Sequence, residues 1–369
     1  MGDQLPTVKV AAVQAASVFL DREGTVDRAS ELIRQAGRNG ACLVAFPENF
    51  VPGHPYWFAF HPVASRVSMR LSQRLFQNSV AVPSESLTAI AGAAADAGAY
   101  VVLGMTQKAP DSTGTMYNAQ VVVGPGGQLI GVRQKLVPTV GERIVHAPGG
   151  GDGIRVFPTE FGPISGLVCA ENSNPLATFA MLALGTRIHV AAWPAFFQAG
   201  FDMQEQMDIS ARAIAQQNAC FVINVCGAID PALADILEVG DDDRAWLADE
   251  GRKGGSAIYA PGGKRLAGPL EGGEGVLYAD LDLEQIVSRK LVKDYAGHYN
   301  RFDVFELRLH DGGTAVPLTL VDREPEPRLV GAGAAGPAHA AEPSSEPTGA
   351  RDASPLPPGS APGIVPTET

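Results

Sequence analysis

The sequence predicts an α/β sandwich, and two observations carry that expectation. Short apolar runs of strand length alternate with stretches of helical periodicity along most of the chain. Each half also contains a hairpin built on glycines, which a purely parallel sheet would lack. The shared grammar suggests a duplicated unit, without sequence self-similarity strong enough to prove one.

Residues 8–13, rich in valine and alanine, read as a buried strand. Thr25 can cap a helix whose apolar positions Val26, Ala29, Leu32, Ile33 and Ala36 keep helical spacing. Glycines at 37 and 40 end it, and 42–46 is the next strand. An alanine-rich helix over 86–97 stops at Gly98, and 100–105 returns as a strand. Residues 118–123 and 128–135 flank Gly124-Pro125-Gly126-Gly127 as a hairpin. In the second half, 164–168, 188–193 and 220–225 read as strands separated by helices over 175–184 and 203–218. Residues 256–260 and 264–267 form a second glycine hairpin, and 276–281 is a closing strand. The acidic stretch 230–255, with Asp241, Asp242 and Asp243, reads as a solvated excursion or a subunit contact.

Composition narrows the function. The chain has 369 residues, 45% hydrophobic and 18% charged, which suffices for a sizeable core. A net charge of -12 without a basic stripe argues against nucleic acid and anionic membrane surfaces as partners. No run approaches the roughly 18 apolar residues of a membrane helix. Neither a secretory leader nor a myristoylation signal is legible, since Pro6 stands where the latter needs Ser or Thr. The four cysteines match neither CxxC pairs nor a zinc framework, so reduced thiols in a cytoplasmic protein are the simplest reading. From Glu324 the composition turns to Pro, Ala, Gly, Ser and Glu. Such a segment cannot offset its ordering entropy, so one folded domain over 1–322 and a disordered acidic tail over 323–369 are expected.

Three reactive residues fall where strands end, the place where α/β folds gather catalytic groups. Cys169 closes the 164–168 strand and opens a polar turn. A helix N-terminus nearby is expected to lower its pKa. Cys42, Cys220 and Cys226 lie in apolar strands and read as buried structural cysteines. Glu48 follows Phe46-Pro47 among aromatics, where lost solvation raises a carboxylate's pKa toward neutrality and suits it to proton transfer. Lys135 ends the first hairpin and can stabilise developing negative charge. Glu142, in Gly141-Glu142-Arg143, is a further candidate.

Together, in this order and spacing, Phe-Pro-Glu after a strand, Lys135 after a hairpin, Gly-Glu-Arg beyond it and Cys169 with Glu171-Asn172 resemble the nitrilase superfamily over roughly residues 8–310. Pro52-Gly53-His54-Pro55-Tyr56-Trp57, Pro175-Leu176, His189-Val190-Ala191-Ala192-Trp193-Pro194 and Ala296-Gly297-His298-Tyr299-Asn300-Arg301 are similar to its nitrilase branch. The resemblance implies an αββα sandwich with two mixed sheets between helix layers, assembled as a dimer or a larger spiral. It implies Cys169 as nucleophile, Glu48 as general base, Lys135 as charge stabiliser and Glu142 as a supporting carboxylate. The implied substrate is a small nitrile, hydrolysed to carboxylic acid and ammonia, with amide as a by-product and no metal or organic cofactor. An amidase using the same residues is the alternative, and a silent scaffold or a thiol redox protein are weaker ones.

Ala170 stands where nitrilases often carry Trp, which hints at extra room beside the nucleophile if its side chain points inward. Tyr56, Trp57 and Trp193 are candidate pocket walls, with core packing the competing role. His54 and His61 read as structural, His298 as a packing residue, and the Gly149–Gly153 run, which lacks a phosphate-loop ending, as a flexible turn.

Overall fold

The computed structural model describes residues 4–312 apart from 231, 251 and 252; the tail at 323–369 and the boundary near 322 lie outside the described residues. Its strands are β1 (Thr7–Gln14), β2 (Leu43–Ala45), β3 (Tyr100–Lys108), β4 (Met116–Val123), β5 (Leu129–Gln134), β6 (Val156–Phe157), β7 (Ile164–Val168), β8 (Ile188–Trp193), β9 (Phe221–Cys226), β10 (Ser256–Tyr259), β11 (Arg265–Leu270) and β12 (Gly275–Asp282). The helices are α1 (Arg22–Arg38), α2 (Arg66–Asn78), α3 (Glu85–Ala97), α4 (Pro175–Ala183), α5 (Met203–Gln217), α6 (Leu233–Ile236), α7 (Asp241–Glu250) and α8 (Glu284–Val292).

Two six-stranded mixed sheets result, ordered β12-β1-β2-β3-β4-β5 and β11-β10-β9-β8-β7-β6. In the first, β1, β2 and β3 are parallel while β4 and β5 run antiparallel as a hairpin. The second repeats this with β7, β8 and β9 parallel and β10 and β11 antiparallel. An antiparallel edge strand closes each, β12 on β1 and β6 on β7. The duplication expected from the sequence is therefore present in the topology.

Strand alternation builds the layers. Successive residues of a strand point to opposite faces, so Val8, Val10 and Ala12 of β1 enter the core between the sheets with Ile188, Val190 and Ala192 of β8. Ala11 and Val13 face outward to meet Val26, Ala29 and Ile33 of α1 and Ile90 and Ala94 of α3. On the opposite surface Ala211, Ile214 and Ala215 of α5 cover Ala191 and Val222, and Ala177, Ala180 and Met181 of α4 cover Leu167. The order is helix, sheet, sheet, helix.

Several local expectations need correction. The cap of α1 is Asp21, whose Oδ1 accepts from the Gly24 N–H at 3.0 Å. Thr25 sits inside the helix, its hydroxyl donating to the Asp21 carbonyl at 2.6 Å. Cys42 precedes β2 and is only half-buried. Residues 230–255 are not a solvated excursion: they form α6 and α7, and Leu233, Leu237 and Leu247 are buried in an aromatic-rich cluster. Asp241, Asp242 and Asp243 are exposed, while Leu247 and Glu250 of the same helix are buried. The glycine run at 149–153 is a packing element, for the Gly149 N–H donates to the Lys135 carbonyl at 2.8 Å. A Cβ on Gly149 would stand 2.7 Å from that of Gln134, so only glycine fits.

Candidate active site

The carboxyl ends of β2, β5, β7 and β8 converge. Glu48 lies three residues beyond β2, and its backbone N–H donates to the Trp193 carbonyl at 3.2 Å, tying the first sheet to the second. Gly104 of β3 lets this segment come close, since a Cβ there would meet the Pro47 carbonyl oxygen at 2.0 Å. Lys135 follows β5 directly and its N–H donates to the Asn118 carbonyl at 2.7 Å. Cys169 follows β7 with φ +51°. Asn49 (φ +46°) and Val140 (φ +45°) flank the same site in that left-handed region, which costs a non-glycine residue of order 1–3 kcal/mol.

Hydrogen bonds hold the strained turn at the cysteine. Asn172 Nδ2 donates to the Cys169 carbonyl at 3.0 Å, and the imidazole of His189 pairs with Asn172 Oδ1 at 3.0 Å and Ser165 Oγ at 2.7 Å. Burial holds His189 down at about 3, so that ring is neutral. The Glu171 carboxylate accepts from the N–H groups of Val168 (2.9 Å) and Leu136 (2.7 Å) and from Arg133 Nη2 (2.8 Å). One buried carboxylate thus joins the residue before the cysteine to the residue after the lysine.

Three charged groups meet beside the sulfur. Lys135 Nζ donates to Glu48 Oε1 at 2.9 Å and to Glu142 Oε2 at 2.6 Å. Asn118 Nδ2 reaches Oε1 of both glutamates at 2.6 Å. Glu142 accepts as well from the Thr139 N–H at 3.0 Å, and His146 Nδ1 lies 3.2 Å from it. Burial opposes charge on both Lys135 and Glu142. For the lysine, Glu48, Cys169 and Glu142 outweigh it and raise the pKa. For Glu142, Lys135 and His146 outweigh it and hold the carboxyl well below the usual range. Glu48 differs: burial dominates, and despite Lys135 its pKa is pushed up to about 7. Its Oε2 is buried and accepts no hydrogen bond from the described residues.

The cysteine departs from expectation. Burial, then the negative field of Glu48, push the Cys169 thiol up to about 12, against Lys135 and the Ala170 amide. The helix of useful length, α4, starts only at Pro175, and Cys169 opens a short 3-10 turn. The sulfur is therefore held as a thiol, beside a carboxylate whose pKa lies near neutrality.

Cys169 lines a pocket with Glu142, His54, Tyr56, Phe58 and Phe197. Of the predicted walls, Tyr56 lies there; it stacks on Phe196 at 4.2 Å, and its hydroxyl accepts from the Ala195 N–H at 3.0 Å. Trp57 does not line it, being buried with Leu71 and Leu75 beneath α2. Trp193 is not among the residues lining this pocket, but it is buried in one cluster with Cys169, Val168 and Met207, against which Phe197 packs, and its indole N–H donates to Asn224 Oδ1 at 2.7 Å. Ala170 is exposed and off the pocket lining, so its small size opens no room beside the sulfur there. His61 is structural, pairing with the Leu237 carbonyl, and His298 lines a separate groove with Leu5 and Arg187. The sequence reading missed Asn118 and Phe197, weighed Phe58 with Tyr56 as core or substrate wall in one aromatic cluster, and gave His54 a structural role. Asn118 left one signal, an amide inside a wholly buried strand.

Comparison with known proteins agrees with this geometry. The carbon–nitrogen hydrolase family model matches residues 9–290. A nitrilase of Pseudomonas syringae pv. syringae is 38% identical over 320 residues, covering 85% of this chain and 93% of that protein. An aliphatic nitrilase of Rhodococcus rhodochrous is 37% identical over 307 residues, covering 82% and 79%. An arylacetonitrilase of Aspergillus kawachii is 36% identical over 308 residues, covering 81% and 91%. Among solved structures, a carbon–nitrogen hydrolase from Helicobacter pylori superposes with TM-score 0.59 at 19% identity, covering 78% of this chain and 94% of that one. An amidase from Nesterenkonia sp. AN1, carrying an acrylamide adduct on its active-site cysteine, gives 0.55 at 18%, covering 77% and 97%. At such identities the two structures attest the fold.

Proposed function

The chain belongs to the carbon–nitrogen hydrolase family, in its nitrilase branch, and from that premise we propose that it hydrolyses a small organic nitrile to a carboxylic acid and ammonia, with Cys169 as nucleophile. Glu48 takes the thiol proton, and the sulfur adds to the nitrile carbon to give a thioimidate. Lys135 stabilises the charge that develops on nitrogen. Glu48 returns the thiol proton to the thioimidate nitrogen, takes one from water as the hydroxyl adds to the carbon, and passes it to nitrogen, so that ammonia leaves and a thioester remains. A second water, activated by the same carboxylate, releases the acid and restores the thiol. Should the thiol leave the tetrahedral intermediate before ammonia does, the product is an amide. Glu142 keeps Lys135 charged and oriented.

The observation that carries this reading is the pairing of one carboxylate near neutrality, Glu48, with one fully ionised carboxylate, Glu142, across a single buried ammonium beside the thiol. Divergent pKa values at one site separate the proton carrier from the electrostatic support. Ammonia release from a panel of aliphatic, aromatic and arylaceto-nitriles, assayed beside the matching amides, tests it. At least one nitrile is turned over, and Cys169→Ala reduces the rate to background. Turnover of amides alone would replace the nitrilase reading with the amidase one.

The same proposal takes the hydrolase domain as 1–322, with 323–369 dispensable for chemistry, and places the enzyme in the cytoplasm as a homo-oligomer. Exposed apolar side chains support self-association, among them Leu291, Val292, Phe302 and Phe305. Among the described residues no helix is long and apolar enough to cross a membrane.

A further inference from the structure

A second cavity lies against Glu48. It is a narrow space between the loops that follow β1 and β9, and Glu48, Ser17, His54, Tyr56, Ala228 and Asp230 are among its walls. Only His54 and Tyr56 line both spaces: Glu48 borders this cavity and Cys169 borders the other. Lys135 links the two, donating to Glu48 of the one wall and to Glu142 of the other. Hydrolysis of a nitrile needs two kinds of occupant at once, an organic group on the sulfur and water on the base. The two compartments match that need.

The lining is suited to water. Glu48 Oε2 is buried with no hydrogen bond from the described residues, and an unpaired carboxylate oxygen is costly unless a polar guest reaches it. Ser17 Oγ donates to the Phe50 carbonyl at 2.6 Å and retains acceptor capacity. The Tyr56 hydroxyl accepts from the Ala195 N–H, which leaves its own proton to donate. Burial holds His54 neutral, its pKa down at about 3; its Nδ1 accepts from Asn49 Nδ2 at 3.3 Å, which leaves Nε2–H to donate without adding charge. A buried water needs two to four such partners. The space left between these walls is narrow, of the order of one water molecule, too tight for the side chain of a nitrile.

We propose that this cavity is the water inlet and ammonia outlet of the enzyme, delivering hydrolytic water to Glu48 while the organic substrate occupies the Cys169 pocket. The proposal rests on the nitrile-hydrolase reading above. It assigns Ala228, whose N–H donates to the Ala15 carbonyl at 3.0 Å, to the wall of the inlet. A bulkier residue there narrows the water path without touching the nucleophile, the lysine or the organic pocket.

The experiment uses the full chain, a nitrile that the wild-type turns over, and the variants Ala228→Phe and Ala228→Leu. Three quantities are read: kcat, the rate of Cys169 alkylation by iodoacetamide, and the covalent adduct on quenched enzyme by intact mass. Blocking the inlet lowers kcat about tenfold or more, leaves alkylation within about twofold, and makes the thioimidate or thioester accumulate, because attack proceeds while hydrolysis waits for water. The amide fraction of the product rises as well. The idea is overturned if kcat stays unchanged in a folded variant, if kcat and alkylation fall together without an adduct, or if only KM and chain-length preference shift. Ala228→Leu decides the matter should the phenylalanine variant fail to fold. A wild-type inactive on every nitrile and amide sinks the parent reading and this one together, whereas an active wild-type with indifferent variants sinks only the inlet.

Discussion

Glu48 and Glu142 are the same residue type, share one lysine and one asparagine, and yet ionise in different ranges. Glu142 has the additional Thr139 N–H and His146; Glu48 has an oxygen that nothing in the described chain satisfies. The acid limb of kcat/KM follows from this difference. With Glu48 near 7, kcat/KM rises as pH increases through about 7, because only the ionised carboxylate accepts the thiol proton. The sign for Glu142→Gln is fixed too: the negative charge of Glu142 raises Glu48, so removing it moves the limb to lower pH even as kcat falls. A pH profile of both enzymes checks this, and an unmoved or upward-moving limb refutes the assignment. The macroscopic value belongs to the cluster as a whole. At this scale Cys169, Glu48 and Lys135 were legible because each stands where an apolar run stops. The thiol's pKa was not, because the proximity of a helix start in sequence says nothing of burial. The wall role assigned to Trp57 failed for a related reason. Adjacency to a reactive residue does not tell which way an indole points: Trp57 is buried with Leu71 and Leu75, whereas Trp193 packs in the cluster of Cys169 itself.

Between elements, the Arg133–Glu171 pair joins the end of β5 in one sheet to the end of β7 in the other. Both side chains are wholly or almost wholly buried, and Arg133 also donates to the Gly153 carbonyl at 3.0 Å and to Gln120 Oε1 at 3.3 Å. Breaking a buried pair leaves an uncompensated charge, which typically costs about 3–5 kcal/mol. Arg133→Met is accordingly expected to lose stability in that range by denaturant titration, although Glu171 keeps its bonds from the Leu136 and Val168 N–H groups. Adding Glu171→Gln recovers part of the loss, since the amide oxygen still accepts one backbone N–H while the stranded charge disappears. A double variant no more stable than the single one would show that the pair does not act as a charge clamp. The strands of this region were readable from apolar runs bounded by glycine and proline. The helices α2, α7 and α8 escaped because charged and small residues dilute their apolar spacing. Leu71 and Leu75 in α2, four residues apart and both buried, are the trace that was there to find.

For the whole molecule, two sheets of identical strand order place their catalytic ends at the same edge of the sandwich, and the duplicated topology makes a site from both halves: Glu48 and Lys135 from the first, Cys169 from the second. Such a site depends on the sandwich staying closed, and among the described residues its outer surface carries large exposed apolar side chains. Leu291 is 75% exposed, Val292 71% and Phe305 68%, all in α8 and the segment that follows it, where a soluble monomer would carry polar groups. Burying these residues against a second copy would remove several large apolar side chains from water, each worth about 1.5–3 kcal/mol if fully covered. The proposed homo-oligomer is then expected to elute as a dimer or larger in gel filtration with light scattering. Phe302→Asp with Phe305→Asp should shift it toward monomer, since a carboxylate buried without a partner opposes association. Truncation after residue 322 should leave mass per particle and nitrile turnover unchanged if the tail is dispensable as proposed. A monomeric wild-type, or a charge variant that assembles as before, would mean that these apolar residues serve something other than self-association.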